Sequence, residues 1–534
     1  MMGTKQVLTE YNPVGDVRKK IYRSLRWVRV KGIARVYRGL WKLTDEESDR
    51  ISIRVVFPSG SEPERSGCKL GIRGFVDTEC DKPVLIAESW DYFPEGKSVS
   101  ELKSMIVSSH LIGRSVNVAG RILNVREHGR TVFFDLWDIN GSVQVAFERH
   151  NLPVKIRRGD IVGVEGVLIL SGTAEPTIKA LSVELLKRPE KEIPPKVSPE
   201  LGLQKPYLWT ICDENRKRAL LTKFKVIKAI REFLELNGFV EVETPIINSV
   251  CSGANAKPFV VRVNALDKDM FLRPAPELYL KRLIVAGFTK IYEIGKNFRN
   301  EGIDRAHQPE FTMVEFYWAY QDYEGMMSFT EKLFRYVVKT VTGDTKLRLG
   351  KNEIDFSQPF KRLDFTKTLS AELGCSEGEL LEEKSILRIA TRLGIDTEGR
   401  TPAKILDLLA DRFLQKYFTE PTFLIRHPKI LSPLAKSSRD NPHLTDRFEL
   451  FVAGVEVANA YTELDDPIEQ ERRFLEQFRA REEGDEEALG YDEEFVDVLR
   501  YGMPPTAGCG IGIDRLAMLL SGVENIRQVV SFPL

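Results

Sequence analysis

The sequence predicts a multidomain α+β protein: one or more small closed β-barrels near the amino-terminal end, then a larger domain of helices flanking an antiparallel sheet. Three observations point there. Residues 115–186 alternate apolar and polar positions in strand-length runs separated by Gly-containing turns, the pattern of a small barrel. Beyond residue 206, strand-like and helix-like segments mix without strict alternation, which fits an antiparallel sheet better than a doubly wound one. Between them, KRPEKEIPPKVSPELGLQKP (187–206) is rich in Pro and charge and reads as a linker.

In order, residues 1–112 hold a stretch from Val17 to Leu43 with ten Lys or Arg and no acid, interleaved with Tyr22, Trp27, Tyr37 and Trp41. Those aromatics would stack on bases or pack within a strand pair. WVRVKGIARVYR (27–38) resembles the start of the 115–186 pattern around Gly32 and Gly120, and Gly71–Phe93 resembles Gly163–Leu185. Residues 20–95 therefore read either as a second copy of the barrel or as a hairpin meander. Residues 113–186 form the barrel and 187–215 the linker. The last domain, 216–534, opens with LLTKFKVIKAIREFLELNGF, a helical pattern ending at Asn237-Gly238. VEVETPI reads as a strand stopping at Pro245. Strands then include FVVRVNAL, DMFLRP, KIYEIGKNFRN and EFTMVEFYWAY; helices include APELYLKRLIVAGF and YEGMMSFTEKLFRYVVKTVTG.

The composition excludes several classes. With 78 Lys plus Arg and 78 Asp plus Glu the net charge is zero, but it is segregated: residues 1–200 carry 32 bases and 26 acids, and residues 441–500 hold 18 acids against six bases. The acidic run fits a solvated helix face or a magnesium-dependent nucleotide site. No apolar run reaches the roughly 20 residues of a membrane span, and the first residues lack a secretory pattern. Six scattered cysteines without C-x-x-C spacing fit reduced thiols in a cytoplasmic protein. Neither G-x-x-x-x-G-K-[ST] nor a helix-opening G-x-G-x-x-G occurs, which disfavours P-loop and dinucleotide sites.

Three constellations carry chemistry. In the first, Arg299 and Glu301 in FRNE, followed by Gly302 and His307, precede a strand whose alternation puts Phe311, Met313, Glu315 and Tyr317 on one face. Two strands joined by a charged loop would set Arg299 and Glu301 opposite Phe311; an Arg–Glu pair closing the sheet is the structural alternative. In the second, Glu449, Glu456, Asn459, Tyr461 and Glu463 punctuate FELFVAGVEVANAYTELDD. Clustered carboxylates need a cation, either a hard metal such as magnesium or a bound ammonium. In the third, GCGIGIDR (508–515) offers small residues for close approach of a ligand to the backbone, with Arg515 opening an apolar helix.

Together these pieces resemble the class II aminoacyl-tRNA synthetases. FRNE with EFTMVEF looks like their motif 2, GIGIDR like motif 3, and GFVEVETP (238–245) like motif 1. The resemblance is nearest to the lysyl-tRNA synthetase family of subclass IIb, through GANAKPF (253–259), APELYLKRL (275–283), SPLAK (432–436), NAYTELDDP (459–467) and PPTAGCGIGIDR (504–515). It spans about 113–534, and the HIGH and KMSKS signatures of class I are absent.

The resemblance implies an OB-fold anticodon-binding barrel at 113–186 and a class II catalytic domain at 216–534. It also implies roles. Arg299 would bind the ATP α-phosphate and the amino-acid carboxylate; Glu301, His307 and Gln308 would hold the adenine or phosphate side. Phe311 and Arg515 would sandwich adenine, and Glu449 and Glu456 would coordinate Mg2+, with Glu449 also counted among the ATP contacts. Gly253 and Glu277 would receive the amino acid, Glu277 by its α-ammonium. Glu315, Tyr317 and Glu463 would bind the side-chain ammonium of L-lysine, lined by Asn459 and Tyr461. Phe133, Gln144 and Glu175 would read the anticodon of tRNA(Lys), and a homodimer would form through motif 1 near Pro245. Gln308 stands where many members have Asn, and YLWTICDENRKRAL (207–220) diverges from the family.

The expected reaction is ATP-dependent lysine activation followed by transfer to the tRNA's terminal adenosine. A lysyl transferase acting on a protein, or a non-catalytic RNA-binding paralogue, are the alternatives. The former typically lacks the barrel; the latter would tolerate loss of Arg299, Glu301 or Arg515, all present here. The basic amino-terminal region is expected to add tRNA affinity without base specificity.

Overall fold

In a computed structural model, residues 115–139, 141–148, 155–171, 175–350, 352–482 and 487–534 are described in full, with Gly113 and Asp485; before residue 113 the backbone of seven strands is described. The chain divides into two compact units, Met1–Ile193 and Pro194–Leu534.

The first unit contains strands β1 (Tyr11–Asn12), β2 (Trp27–Tyr37), β3 (Leu40–Thr44), β4 (Ser52–Val56), β5 (Cys68–Asp77), β6 (Val84–Tyr92) and β7 (Gly96–Ser98), then β8 (Ser115–His128), β9 (Thr131–Asp138), β10 (Gly141–Glu148), β11 (Ile161–Leu170) and β12 (Pro176–Lys187). The last five close a barrel in the order β8-β9-β10-β12-β11, with β11 returning to β8; β10 and β12 run parallel and the other pairs antiparallel. Alternation fills its interior with Val118, Ile122, Phe134, Leu136, Val145, Val164 and Ile178. The outer face keeps the polar residues. Asp160 is fully buried at the barrel's end, where Arg188 and the Arg157 amide donate to it at 3.1 and 3.0 Å.

Strands β2 to β6 adopt the same order, β2-β3-β4-β6-β5 with β5 returning to β2, and the same pair directions. Most of the register is shared as well, apart from shifts at Ile122/Asn124 and Ile161/Val162 in the second barrel. Arg29 pairs with Arg73 as Asn117 pairs with Glu165, and Lys42 with Arg54 as Asp135 with Gln144. A β-bulge falls between Arg73 and Gly74 in one barrel and between Glu165 and Gly166 in the other.

The second unit is built on an eight-stranded sheet. Its strands are β13 (Val240–Glu241), β17 (Lys290–Phe298), β18 (Glu310–Ala319), β21 (Lys361–Asp364), β22 (Thr422–Ile425), β23 (Arg447–Val452), β24 (Val455–Thr462) and β25 (Thr506–Gly512), in the order β13-β17-β18-β25-β24-β23-β22-β21. From β17 to β22 all pairs are antiparallel. A small sheet of β14 (Ile247–Asn248), β15 (Phe259–Val263) and β16 (Lys268–Leu272) and a hairpin of β19 (Lys346–Leu349) and β20 (Asn352–Asp355) complete the strands. One face of the large sheet, including Val314, Phe316, Ala460 and Ile511, packs on the helices Glu214–Leu236, Tyr323–Thr342 and Ile513–Ser521. The other face is left for chemistry.

Two sequence expectations take a different form here. VEVETPI forms strand only at Val240–Glu241, with one further bond from the Val242 amide to the Tyr292 carbonyl, and so ends short of Pro245. The stretch 187–215 contains the helices Pro199–Gln204 and Pro206–Cys212, and Asp213 caps the long helix from Glu214 through the amides of Asn215 and Arg216. Arg216, fully buried, then donates to the carbonyls of Arg527, Val530 and Ser531 near the carboxyl end.

A Cβ at Gly166 would lie 2.5 Å from the Lys179 carbonyl and 2.8 Å from the Ala180 Cα, whereas one at Gly163 would meet only Leu186 side-chain atoms at 3.8 Å. Gly166→Ala is therefore expected to destabilise the barrel by about 1–3 kcal/mol and Gly163→Ala by much less, read as amide hydrogen exchange of β11 and β12.

Candidate active site

Two rows of residues cross the open face of the sheet. Across β18, β25, β24 and β23, Glu315 pairs with Gly510, Gly510 with Asn459, and Asn459 with Glu449; one step along, Tyr317, Gly508, Tyr461 and Arg447 form the second row. The glycines are what opens this face. A Cβ at Gly508 would lie 2.2 Å from Glu463 Oε1 and 2.5 Å from Tyr317 Cε1, and one at Gly510 would lie 3.0 Å from the Met313 methyl.

At one end sits an acidic pocket. Glu277 begins the helix Glu277–Val285; it accepts from the Tyr461 hydroxyl and from Lys281 Nζ, both at 2.6 Å. Lys281, four residues on and fully buried, also pairs with Glu463. Tyr317 donates to Glu315 at 3.1 Å. Beyond Glu315, Glu293 is already neutralised by Arg273 at 2.6 Å. Gly253, at φ +92°, would bring a Cβ to 3.6 Å from that of Glu277.

Of the three buried carboxylates, Glu277 and Glu463 share Lys281, and Glu315 has the Tyr317 hydroxyl. Burial and the neighbouring Glu277 charge push Glu315 up to about 8. Burial likewise raises Glu463 well above the usual carboxylate range, against the pull of Lys281. Burial opposes the charge on Lys281, but Glu277 and Glu463 hold its pKa above the ordinary lysine value. A raised carboxyl pKa means the native state binds more protons than the unfolded chain. The Glu315 contribution to stability is therefore fully present below about pH 4.5 and is lost as pH rises through 8.

The other end gathers cations and a stacking surface. Arg299 lies beyond β17, its amide bonded to the Pro309 carbonyl, so it faces Pro309; Phe311 is paired with Asn297 instead. The expected register is thus corrected by two residues. The guanidinium still reaches back to 5.2 Å from the centre of the Phe311 ring. Arg299 is half-buried, its Nε is shut from solvent without a hydrogen-bond partner, and loss of solvation lowers its pKa while Glu301 and Glu456 favour the charged form. An anion would satisfy it. Arg515 binds Glu456 at 3.0 Å and His307 Nε2 at 2.8 Å, and His307 Nδ1 contacts Asp304 at 2.8 Å. Glu301 is exposed and Gln308 buried, its amide donating to the His307 carbonyl at 3.2 Å.

Glu449 and Glu456 lie on the paired strands β23 and β24 and share a face because of a bulge. The register skips Val457, so Val457 and Ala458 both enter the core and Glu456 stays on the face of Asn459 and Glu449. Burial works against the Glu449 charge, but His427 at 3.2 Å and Arg447 at 2.6 Å hold its pKa at about 2. Asn459 accepts from Arg447 Nε at 3.1 Å; its carbonyl is engaged by Arg447, a bond the sequence did not suggest. Among the described residues no group of three His, Cys, Asp or Glu forms a metal cluster.

In the barrel, Phe133 and Gln144 share the outer face of β9 and β10. Gln144 accepts from Thr177 at 3.0 Å, and Glu175 immediately precedes β12.

Residues 198–534 match the family profile described as tRNA synthetases class II (D, K and N), and residues 116–186 match that of the OB-fold nucleic acid binding domain. The chain belongs to the class II tRNA synthetase family. It is 42% identical to the lysine–tRNA ligase of Aquifex aeolicus (strain VF5), over 95% of this chain and 87% of that protein. It is 44% identical to the lysine–tRNA ligase of Thermoanaerobacter sp. (strain X514), over 79% and 87%. With that of Thermotoga maritima it shares 43% identity, over 84% and 89%.

Set against that family assignment, the sequence reading missed Lys281, Arg447, His427 and Asp514. Only Lys281 left a signal, its i,i+4 spacing from Glu277. Asp514 accepts from the Thr312 amide at 2.8 Å and pairs with Lys223 at 2.5 Å, pinning the helix that carries Arg515 to β18 and to the helix Glu214–Leu236. Lys281→Met removes the one cation from the acidic pocket and is expected to destabilise the catalytic unit by about 3–5 kcal/mol at pH 8. Protonation of the stranded carboxylates should shrink that loss at pH 6, a difference that urea unfolding at the two pH values measures.

Proposed function

We propose that this chain is a lysine–tRNA ligase, forming lysyl-adenylate and pyrophosphate from lysine and ATP and then passing lysine to tRNA(Lys). The observation that carries the substrate is charge. Lys281 pairs with Glu277 and Glu463 while Glu315 accepts from the Tyr317 hydroxyl, which leaves two negative charges when all three acids are ionised. L-Lysine brings two ammonium groups, one for Glu277 at the α-position and one for Glu315 and Glu463 at the far end. Aspartate or asparagine would leave those carboxylates buried without a counter-charge, at a cost of several kcal/mol.

The substrate carboxylate is itself the nucleophile, so the protein needs no Ser–His–Asp relay. A carboxylate oxygen attacks the α-phosphorus, the bond to the bridging oxygen breaks, and pyrophosphate leaves with the electron pair. Arg299, held within the pocket with an unsatisfied Nε, would bind the α-phosphate and the carboxylate as charge grows at phosphorus. Phe311 would stack against adenine, with Arg515 on its other face and His307 and Glu301 beside the phosphates. The terminal 3′-hydroxyl of tRNA then attacks the adenylate carbonyl and AMP departs.

Glu449 and Glu456 would hold Mg2+. Two carboxylates suit an ion that takes its remaining oxygens from nucleotide phosphates. Bound there, Mg2+ would neutralise phosphate charge. Exposed Leu236, Val240, Ile246 and Ile247 around the motif 1 segment support a homodimer. No helix among the described residues is long and apolar enough to cross a membrane, and the scattered free thiols favour the cytoplasm.

Amino-acid-dependent ATP–pyrophosphate exchange tests the assignment: lysine should support exchange, and exchange with aspartate or asparagine instead would overturn it. Glu315→Gln is expected to raise KM for lysine by roughly 30- to 1,000-fold, about 2–4 kcal/mol, with KM for ATP changing less than about threefold. Because Glu315 is neutral below about pH 8 in the free protein, KM for lysine should fall by up to about tenfold per unit as pH rises from 6 to 8.

A further inference from the structure

The two barrels place different residue types at matching register positions. Cross-strand pairs share a face, so the registers align positions of the two barrels pair by pair, once the bulge at Leu123 that β2 lacks is allowed for. Arg35 pairs with Lys42 and Lys42 with Arg54; the corresponding row of the second barrel is Asn124, Asp135 and Gln144. Arg29 opposite Arg73 likewise replaces Asn117 opposite Glu165. Ile33 and Tyr37 stand where Arg121 and Arg126 do, a trade in the other direction. Over the aligned outer positions of β2 to β5, the first barrel carries seven cations and one acid, Asp77, and the second two of each.

That arrangement conflicts with stability alone. Like charges directly opposite on neighbouring strands repel, and strands about 4.8 Å apart crowd three cations into one row. In the second barrel the same row is internally compensated, with Asn124 and Arg126 both donating to Asp135, at 2.8 and 2.9 Å. A polyanion lying along the row would offset the repulsion. The reading positions differ as well: Leu40 and Arg54 take the register places of Phe133 and Gln144. An aromatic platform and a side-chain amide have given way to an aliphatic residue and a cation, so base stacking and amide recognition are replaced by charge.

We infer that the first barrel, β2 to β6, binds the phosphodiester backbone of RNA across the row Arg35–Lys42–Arg54 and reads no bases. The choice of tRNA as that RNA rests on the proposed ligase function. On this view the two barrels divide the work: the second selects the anticodon, and the first supplies sequence-independent, salt-sensitive affinity for the same molecule.

The test transplants the second barrel's row into the first in the full chain, as the triple variant R35N/K42D/R54Q. Expected are a rise of tenfold or more in Kd for tRNA(Lys) at 100 mM salt and a log Kd–log salt slope shallower by about 2–3. The loss should be equal for a tRNA with an altered anticodon, with lysine-dependent pyrophosphate exchange unchanged. The conservative triple R35K/K42R/R54K should restore affinity, which separates charge from folding. An unchanged Kd and slope would overturn the inference. So would a changed preference between the two tRNAs, or wild-type retention on phosphatidylserine vesicles matching that on tRNA. If wild-type protein supports no exchange with lysine, the ligase assignment falls while the RNA-binding result still stands or falls on its own slope.

Discussion

Burying three carboxylates in one pocket is the constraint around which the catalytic unit is arranged. Glu277, Glu315 and Glu463 are each at most about 5% exposed, and a low-dielectric site cannot hold them all ionised beside one another. Lys281 supplies one counter-charge from within the fold, and Glu315 and Glu463 meet the remainder by raised pKa values. The pocket is therefore least stable in the protonation state in which it binds an ammonium most tightly. Stability given up at an empty site becomes selectivity when a doubly charged amino acid fills it.

The sheet makes that arrangement possible. Antiparallel pairing from β17 to β22 carries Glu315, Gly510, Asn459 and Glu449 across in one row. The glycines of β25 clear the floor, and the bulge at Val457 returns Glu456 to the reactive face. Asp514 then fixes the helix bearing Arg515 against β18. Acids for an ammonium and cations for phosphates thus sit on one rigid surface, separated along the strands.

The barrels show the same economy in another form. One strand order, repeated with a β-bulge at the same place, carries a row of cations in one barrel and a charge-balanced row in the other. The strand interior sets the fold through alternating Val, Ile and Leu. The outer positions are free to be exchanged, because solvent or a ligand, not the core, meets them.

What the sequence determined was the set of elements and much of the reactive chemistry. Alternation in EFTMVEFYWAY already placed Phe311, Met313, Glu315 and Tyr317 on one face, and Gly-rich β25 announced a close approach, because side-chain period and glycine freedom are local properties of a strand. The families matched by residues 116–186 and 198–534 were legible in the same motifs. Register and long-range pairing were not. Arg299 faces Pro309 and not Phe311, since the loop after β17 sets the offset; Arg447 claims Asn459; and Lys281 reaches Glu463 across 182 positions of chain. Those contacts depend on which strands become neighbours, a choice made by the packing of the whole sheet on its helices, so only the tertiary structure decided where the charges balance.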